Sequence, residues 1–257
     1  MVDGTVINAG NATIALLADE NITLGQVTTT NSSTTAVTLT STEGAIVDGG
    51  DTGGADVITT SGRLVIDAVT GVGSGAAIET TVASVDIDNA TSGNIEISET
   101  DALTVFKAVQ GTAGNIGIVA GGTITVDNAG GNAITVLGTG TVTLDANGGT
   151  SDILINDGIL SVNGAITLTA DNDVIFQADG DITSTAGAVA ITADADNGGA
   201  TSGVLTMVDG TVINAGNATI ALLADENITL GQVATTNTGA TAVTLTTREG
   251  AIVDGGD

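Results

Sequence analysis

Short triplets of apolar, polar and apolar residues recur along the whole chain: ITL at 22–24, VTL at 37–39, VDI at 85–87, IEI at 95–97, ITV at 124–126, VTL at 142–144 and ITL at 166–168. A period of two sends alternate side chains to opposite faces, which is the pattern of a half-buried strand. No segment of helix length repeats at 3.6 residues, so the pattern predicts almost no helix. Many triplets have a neighbour about 8 to 10 residues away, and successive pairs start roughly 18 to 21 residues apart, the spacing of a stacked repeat. Between them lie clusters such as DNAGGN at 127–132, DANGGTSD at 145–152 and ADADNGG at 193–199, rich in the residues that accept positive φ in turns.

This arrangement predicts an all-β protein, a parallel β-helix or β-solenoid with coils of about 20 residues, each strand pairing with its equivalents above and below at about 4.8 Å. Inward residues such as Ile22 and Leu24, or Val142 and Leu144, would stack like on like. The spacing weakens between 182 and 205, where a longer loop or an irregular coil is expected. The competing arrangement is a pair of antiparallel sandwich domains of about 100 residues each. Such domains use aromatic rings in the core and Pro at edges and linkers, whereas this chain has no Pro and no Trp.

A longer repeat is superimposed on the short one. Residues 207–257 repeat residues 1–51, with differences only at Thr28/Ala234, Ser32/Thr238, Ser33/Gly239, Thr34/Ala240, Ser41/Thr247 and Thr42/Arg248. Such near-identity implies duplication of a long unit. The chain therefore divides into one unit, 1–206, and the start of a second, 207–257, within a continuous solenoid. Roughly ten coils per unit would rise about 48 Å. Because Met207 is the counterpart of Met1, the methionine belongs to the repeat, and the sequence reads as a stretch of a longer array. The first residues, MVDGTVINAG, carry no basic or apolar stretch of a signal peptide; in a stretch of a longer array that says nothing about location.

Composition narrows the function. The hydrophobic fraction is 42%, with Phe106 and Phe176 as the only aromatics, which suits a narrow, regular interior filled by small and β-branched side chains. Three basic residues, Arg63, Lys107 and Arg248, stand against 30 acidic ones, for a net charge of -27; binding to nucleic acid through its phosphates is excluded. With no Cys and no His, disulfides, thiolate metal sites and the commonest general base are absent. No apolar run is long enough for a membrane span.

The phrases GAITLTADNDVIFQADGDITSTAGAVAITAD at 164–194 and NATIALLADENITLG at 11–25 resemble the repeats of filamentous-haemagglutinin-type adhesins and other giant bacterial surface repeat proteins. The resemblance covers most of the chain and rests on pattern and composition. It implies a right-handed parallel β-helix, secretion, and a location that is extracellular or at the cell surface. It carries over no functional residue, because such repeats are scaffold, and the secretion domain that opens such adhesins has no counterpart in this sequence.

Candidate chemistry is sparse. Calcium is the candidate ion, with Asp48, Asp51 and Asp56 in VDGGDTGGAD as ligands, echoed at Asp254 and Asp257, because carboxylates and turn carbonyls are hard oxygen donors. A solvated acidic loop accounts for the same residues, and the glycine-rich calcium nonapeptide spacing is missing. A second patch is Asp194, Asp196 and Asn197, without the closing Glu of an EF-hand. Sequons stand at Asn11, Asn21, Asn31, Asn89, Asn217 and Asn227, as many as chance supplies in so Asn- and Thr-rich a chain. A polysaccharide lyase would need a base beside carboxylate-bound calcium, and Arg63 and Lys107 read as too isolated to supply it. Paired carboxylates for glycoside hydrolysis could be drawn from the acidic residues at will, so no catalytic residue is assigned. The expected role is structural and not enzymatic: a stiff rod or filament associating end to end, with divalent cations bridging neighbouring rods. The alternative is an adhesin module that recognises a surface glycan or receptor.

Overall fold

The computed structural model describes residues 1–50, 54–196 and 203–256. Every element among them is a strand, and every strand pair is parallel, so the chain is a β-solenoid and the sandwich arrangement is ruled out. The alternation in the sequence becomes alternation in burial. In strand Ile166–Ala170, Ile166, Leu168 and Ala170 are fully buried while Thr167 and Thr169 face outward. Registered neighbours repeat this: Val142, Ile166 and Val189 form one column, Leu144, Leu168 and Ile191 a second, and Ala146, Ala170 and Ala193 a third. Stacking like on like buries each column along its length, and that apolar burial is the main force holding one coil to the next. Phe176, the largest buried side chain, stands in such a column between Ile155 and Met207.

Successive coils lie roughly 23 residues apart, longer than the spacing of the triplets implies, and the whole chain makes about ten turns. The repeat unit therefore winds through fewer coils than ten. Coil length varies because extra residues are taken up at corners: Ile78 pairs with Ile97 in a short coil, and Val189 pairs with Ile220 in a long one. The strands Ile182–Ser184 and Val189–Ala193 are regular, Asp194 to Asp196 form a bend and turn, and residues 197–202 lie outside the described residues.

Corners are held by buried hydroxyls and close glycines. Ser161 donates to the carbonyl of Gly140 at 3.2 Å and accepts from the N–H of Gly164 at 2.9 Å; Ser184 does the same with Gly164 and Gly187, at 2.9 and 2.8 Å. A β-carbon on Gly164 would lie 1.7 Å from the Gly140 carbonyl oxygen, so only glycine lets the coils approach. Ser41 repeats the motif with the Glu20 carbonyl and the Gly44 N–H, and Thr59 closes its turn on both the carbonyl and the N–H of Gly62, giving a Ser/Thr-x-x-Gly signature at the turns.

The cross-section changes along the axis. Early coils have three sides, for example Val6–Asn8, Ile14–Ala18 and Ile22–Thr23. In the middle, strand Ile95–Glu99 takes two of these sides together: Ile95 bridges to Val72, while Ile97–Glu99 pair with Ile78–Thr80. The long strand Leu103–Gln110 then divides, pairing through Leu103–Val105 with Ile124–Val126 and through Ala108–Gln110 with Ile134–Val136. From there on the coil again has three sides.

Candidate functional site

Asp48 follows the short strand Ile46–Val47, Asp56 precedes strand Val57–Thr59, and Glu79 lies in strand Ile78–Thr81. Stacking brings carboxylate oxygens of all three within 4.8 Å of one another. Asp48 and Asp56 therefore converge as expected, Asp51 lies outside the described residues, and Glu79 is a member that sequence reading missed. It stands one coil beyond Asp56, so the coil spacing was the signal that pointed to it. Asp56 is 2% exposed; its Oδ2 accepts from the N–H of Glu79 at 3.2 Å. Burial, with the charges of Asp48 and Glu79 added, raises its carboxyl pKa to about 7. A hollow of about 260 Å³ lined by Gly54, Ala55, Glu79, Ser98 and Thr100 adjoins the cluster. In the second copy Asp254 accepts from the N–H of Gly256 at 3.1 Å, as Asp48 does from that of Gly50 at 2.6 Å.

One strand on, Glu99 shows how this fold accommodates a buried carboxylate. It is 3% exposed and accepts from the Thr80 hydroxyl at 2.8 Å, from the N–H groups of Val82 and Thr100 at 3.0 Å each, and from that of Asp101 at 3.4 Å. Burial pushes its pKa up while these donors pull it back. Four donors on one carboxylate mark a structural clamp where two sides merge.

The basic residues are not isolated, which corrects the sequence reading. Arg63, Asp86 and Lys107 lie on three neighbouring strands, Arg63–Ala68, Ser84–Asn89 and Leu103–Gln110, and Asp86 stands between the two cations, 4.0 Å from Arg63 and 3.4 Å from Lys107. Lys107 also pairs with Asp88. Partial burial opposes the lysine charge, yet Asp88 and Asp86 hold its pKa above the ordinary value. The Arg63 guanidinium stacks 3.6 Å over the Phe106 ring. Neighbouring columns bring these residues together from positions about twenty apart in sequence, a proximity that linear spacing hides. This cationic group sits on the 16-stranded sheet, and strands Val57–Thr59 and Ile78–Thr81 of the acidic cluster belong to the 11-stranded one.

Asp194, 3% exposed, is paired with Arg248, and Asn197 lies outside the described residues. Among the sequons, Asn11, Asn21, Asn217 and Asn227 are exposed, whereas Asn89 is buried and donates to Ser92, Gly93 and Gln110. The folded chain has no room for a glycan on Asn89. No family model matches this chain, and neither does any curated protein or solved structure.

Proposed function

We propose that this chain is part of a structural rod built from repeated β-solenoid units, acting at the cell surface or outside the cell as a sheath, fibre or adhesin stalk. One observation supports this reading above the others: a single parallel sheet runs unbroken through 11 strands from Val6–Asn8 to Val243–Thr247, crossing from one repeat copy into the next. Hydrogen bonds along the axis and stacked apolar columns make such an assembly stiff lengthwise, since each coil touches only its neighbours. The coil ends are unpaired strand edges suited to continuation by a further unit or by another copy. The acidic surface keeps neighbouring rods apart at low ionic strength and lets divalent cations draw them together. Joining two and then three 206-residue units tests the rod: small-angle scattering should show length rising by about 40 Å per unit at constant width. Growth in all dimensions, or flexible beads, would refute it.

A second reading, an adhesin module for a surface glycan or receptor, is favoured by one feature. Three of the six differences between copies, Ser32, Ser33 and Thr34, fall together in the exposed turn between strands Gln26–Thr29 and Val37–Ser41. Saturable glycan binding that is lost when this turn is replaced would support it.

A further inference from the structure

The two copies of the repeat do not lie on the same sides of the solenoid. Strand Val6–Asn8 belongs to the 11-stranded sheet, but its counterpart Val212–Asn214 belongs to the 16-stranded sheet. Conversely, Ile14–Ala18 lies in the 16-stranded sheet and its counterpart Ile220–Ala224 in the 11-stranded one. Local structure is nevertheless conserved. Thr29 and its counterpart Thr235 each donate to two carbonyls of the preceding coil, Gly10 and Ala12 in one copy, Gly216 and Ala218 in the other. The same sequence thus makes the same coil, displaced around the axis.

The displacement has an identifiable cause. Following hydrogen-bonded partners from Val6–Asn8 along its sheet leads to Ile220–Ala224, one strand past its own counterpart. From Ile14–Ala18 the path forks at Leu103–Gln110, one branch reaching Ile228–Leu230 and the other Val212–Asn214, the strands on either side of its counterpart Ile220–Ala224. A corner is lost where Ile95–Glu99 takes two sides together, and a corner is gained where Leu103–Gln110 divides. The new corner opens in the side opposite the corner that closed, so the unit winds a whole number of turns and about a half.

We infer that the repeat is a rotational device: each 206-residue unit sets its successor about half a turn around the axis, so that tandem units display equivalent surface features on alternating sides of the rod. This rests on the reading of the chain as a rod of repeated units. Its consequence falls on the exposed, copy-variable turn around Ser33 and Gly239. In one copy that turn joins a strand of the 11-stranded sheet to one of the 16-stranded sheet, and in the other copy the order is reversed. Successive turns would then leave the rod on opposite sides, presenting the same segment alternately to each.

The chain contains no Cys, so paired cysteines can be labelled cleanly with gold or another electron-dense probe and located by electron microscopy. One variant carries Ser33→Cys and Gly239→Cys, equivalent positions in the two copies. The reference carries Val6→Cys and Leu223→Cys, both outward in one column of the 11-stranded sheet, and so measures the twist of the sheet itself. The expected result is an angular offset in the first pair that differs from the reference offset by about half a turn. Equal offsets in the two pairs on an intact rod would overturn the rotation while leaving the rod reading in place. Particles without a common axis would overturn both.

Discussion

Arg248 reaches back 54 residues to Asp194, its guanidinium donating to the carboxylate at 3.2 Å and to the backbone carbonyl at 3.1 Å. Asp194 is buried, adopts φ of 58°, and has its other carboxylate oxygen without a hydrogen-bond partner among the described residues. Arg248 also lies 3.9 Å from Asp225. In the first copy Thr42 stands in its place and donates to Asp19, the counterpart of Asp225, at 2.8 Å. The arginine therefore keeps the contact of its own copy and adds one to the last part of the preceding unit, clasping the junction.

Replacing Arg248 by the threonine of the first copy should destabilise the junction by about 1–2 kcal/mol, because it leaves the buried Asp194 side chain without the guanidinium that bonds it. Hydrogen exchange should quicken in strands Ile220–Ala224 and Val243–Thr247 and remain unchanged near Val85. In an Asp194→Asn background the same replacement should cost clearly less; equal costs in both backgrounds would show that the pair is not coupled.

Asp56 makes stability depend on pH. Its carboxyl titrates near 7 in the folded chain, against an ordinary value of 3.8. Below about pH 4 both states hold the proton; between 4 and 7 only the unfolded chain releases it, so folding stability falls across that window and levels off above it. Melting temperature should decline from pH 4 to pH 7 in the wild type and far less in Asp56→Asn. Calcium provides a second arm of the experiment. A rise in melting temperature at pH 7.5 that Asp56→Asn abolishes would mean that the three carboxylates hold a cation, and no rise would mean that protonation alone relieves their repulsion.

The corner motif predicts an ordered pair of effects. Ser161→Ala removes a donor and leaves the Gly164 N–H and the Gly140 carbonyl short of a partner, a loss of about 1–3 kcal/mol. Gly164→Ala should cost more, since its β-carbon would collide with the backbone of the coil beneath. Denaturant midpoints measured for both variants should fall in that order; a tolerated alanine at 164 would contradict the close approach.

Much of the architecture could be read from residues alone, for physical reasons that also mark where such reading stops. Period-two alternation in segments like ITLTA and VTLDA dictates which side chains face inward, and a narrow interior filled by Val, Ile, Leu and Ala admits little besides stacked strands. The Ser/Thr-x-x-Gly corners were also present in the sequence, hidden among many other Ser, Thr and Gly residues. Strand pattern alone did not specify coil length, since turn residues leave the axis without disturbing the columns.

What only the folded chain decided is which residues from different coils meet. Glu79 joins Asp48 and Asp56, Asp86 lies between Arg63 and Lys107, and Arg248 finds Asp194, because each pair is set by the lengths of all the turns between its members. The side on which a repeated segment lies is likewise a sum over every intervening corner. A strand's own residues determine its inward face, whereas its position around the axis is inherited from the coils beneath it.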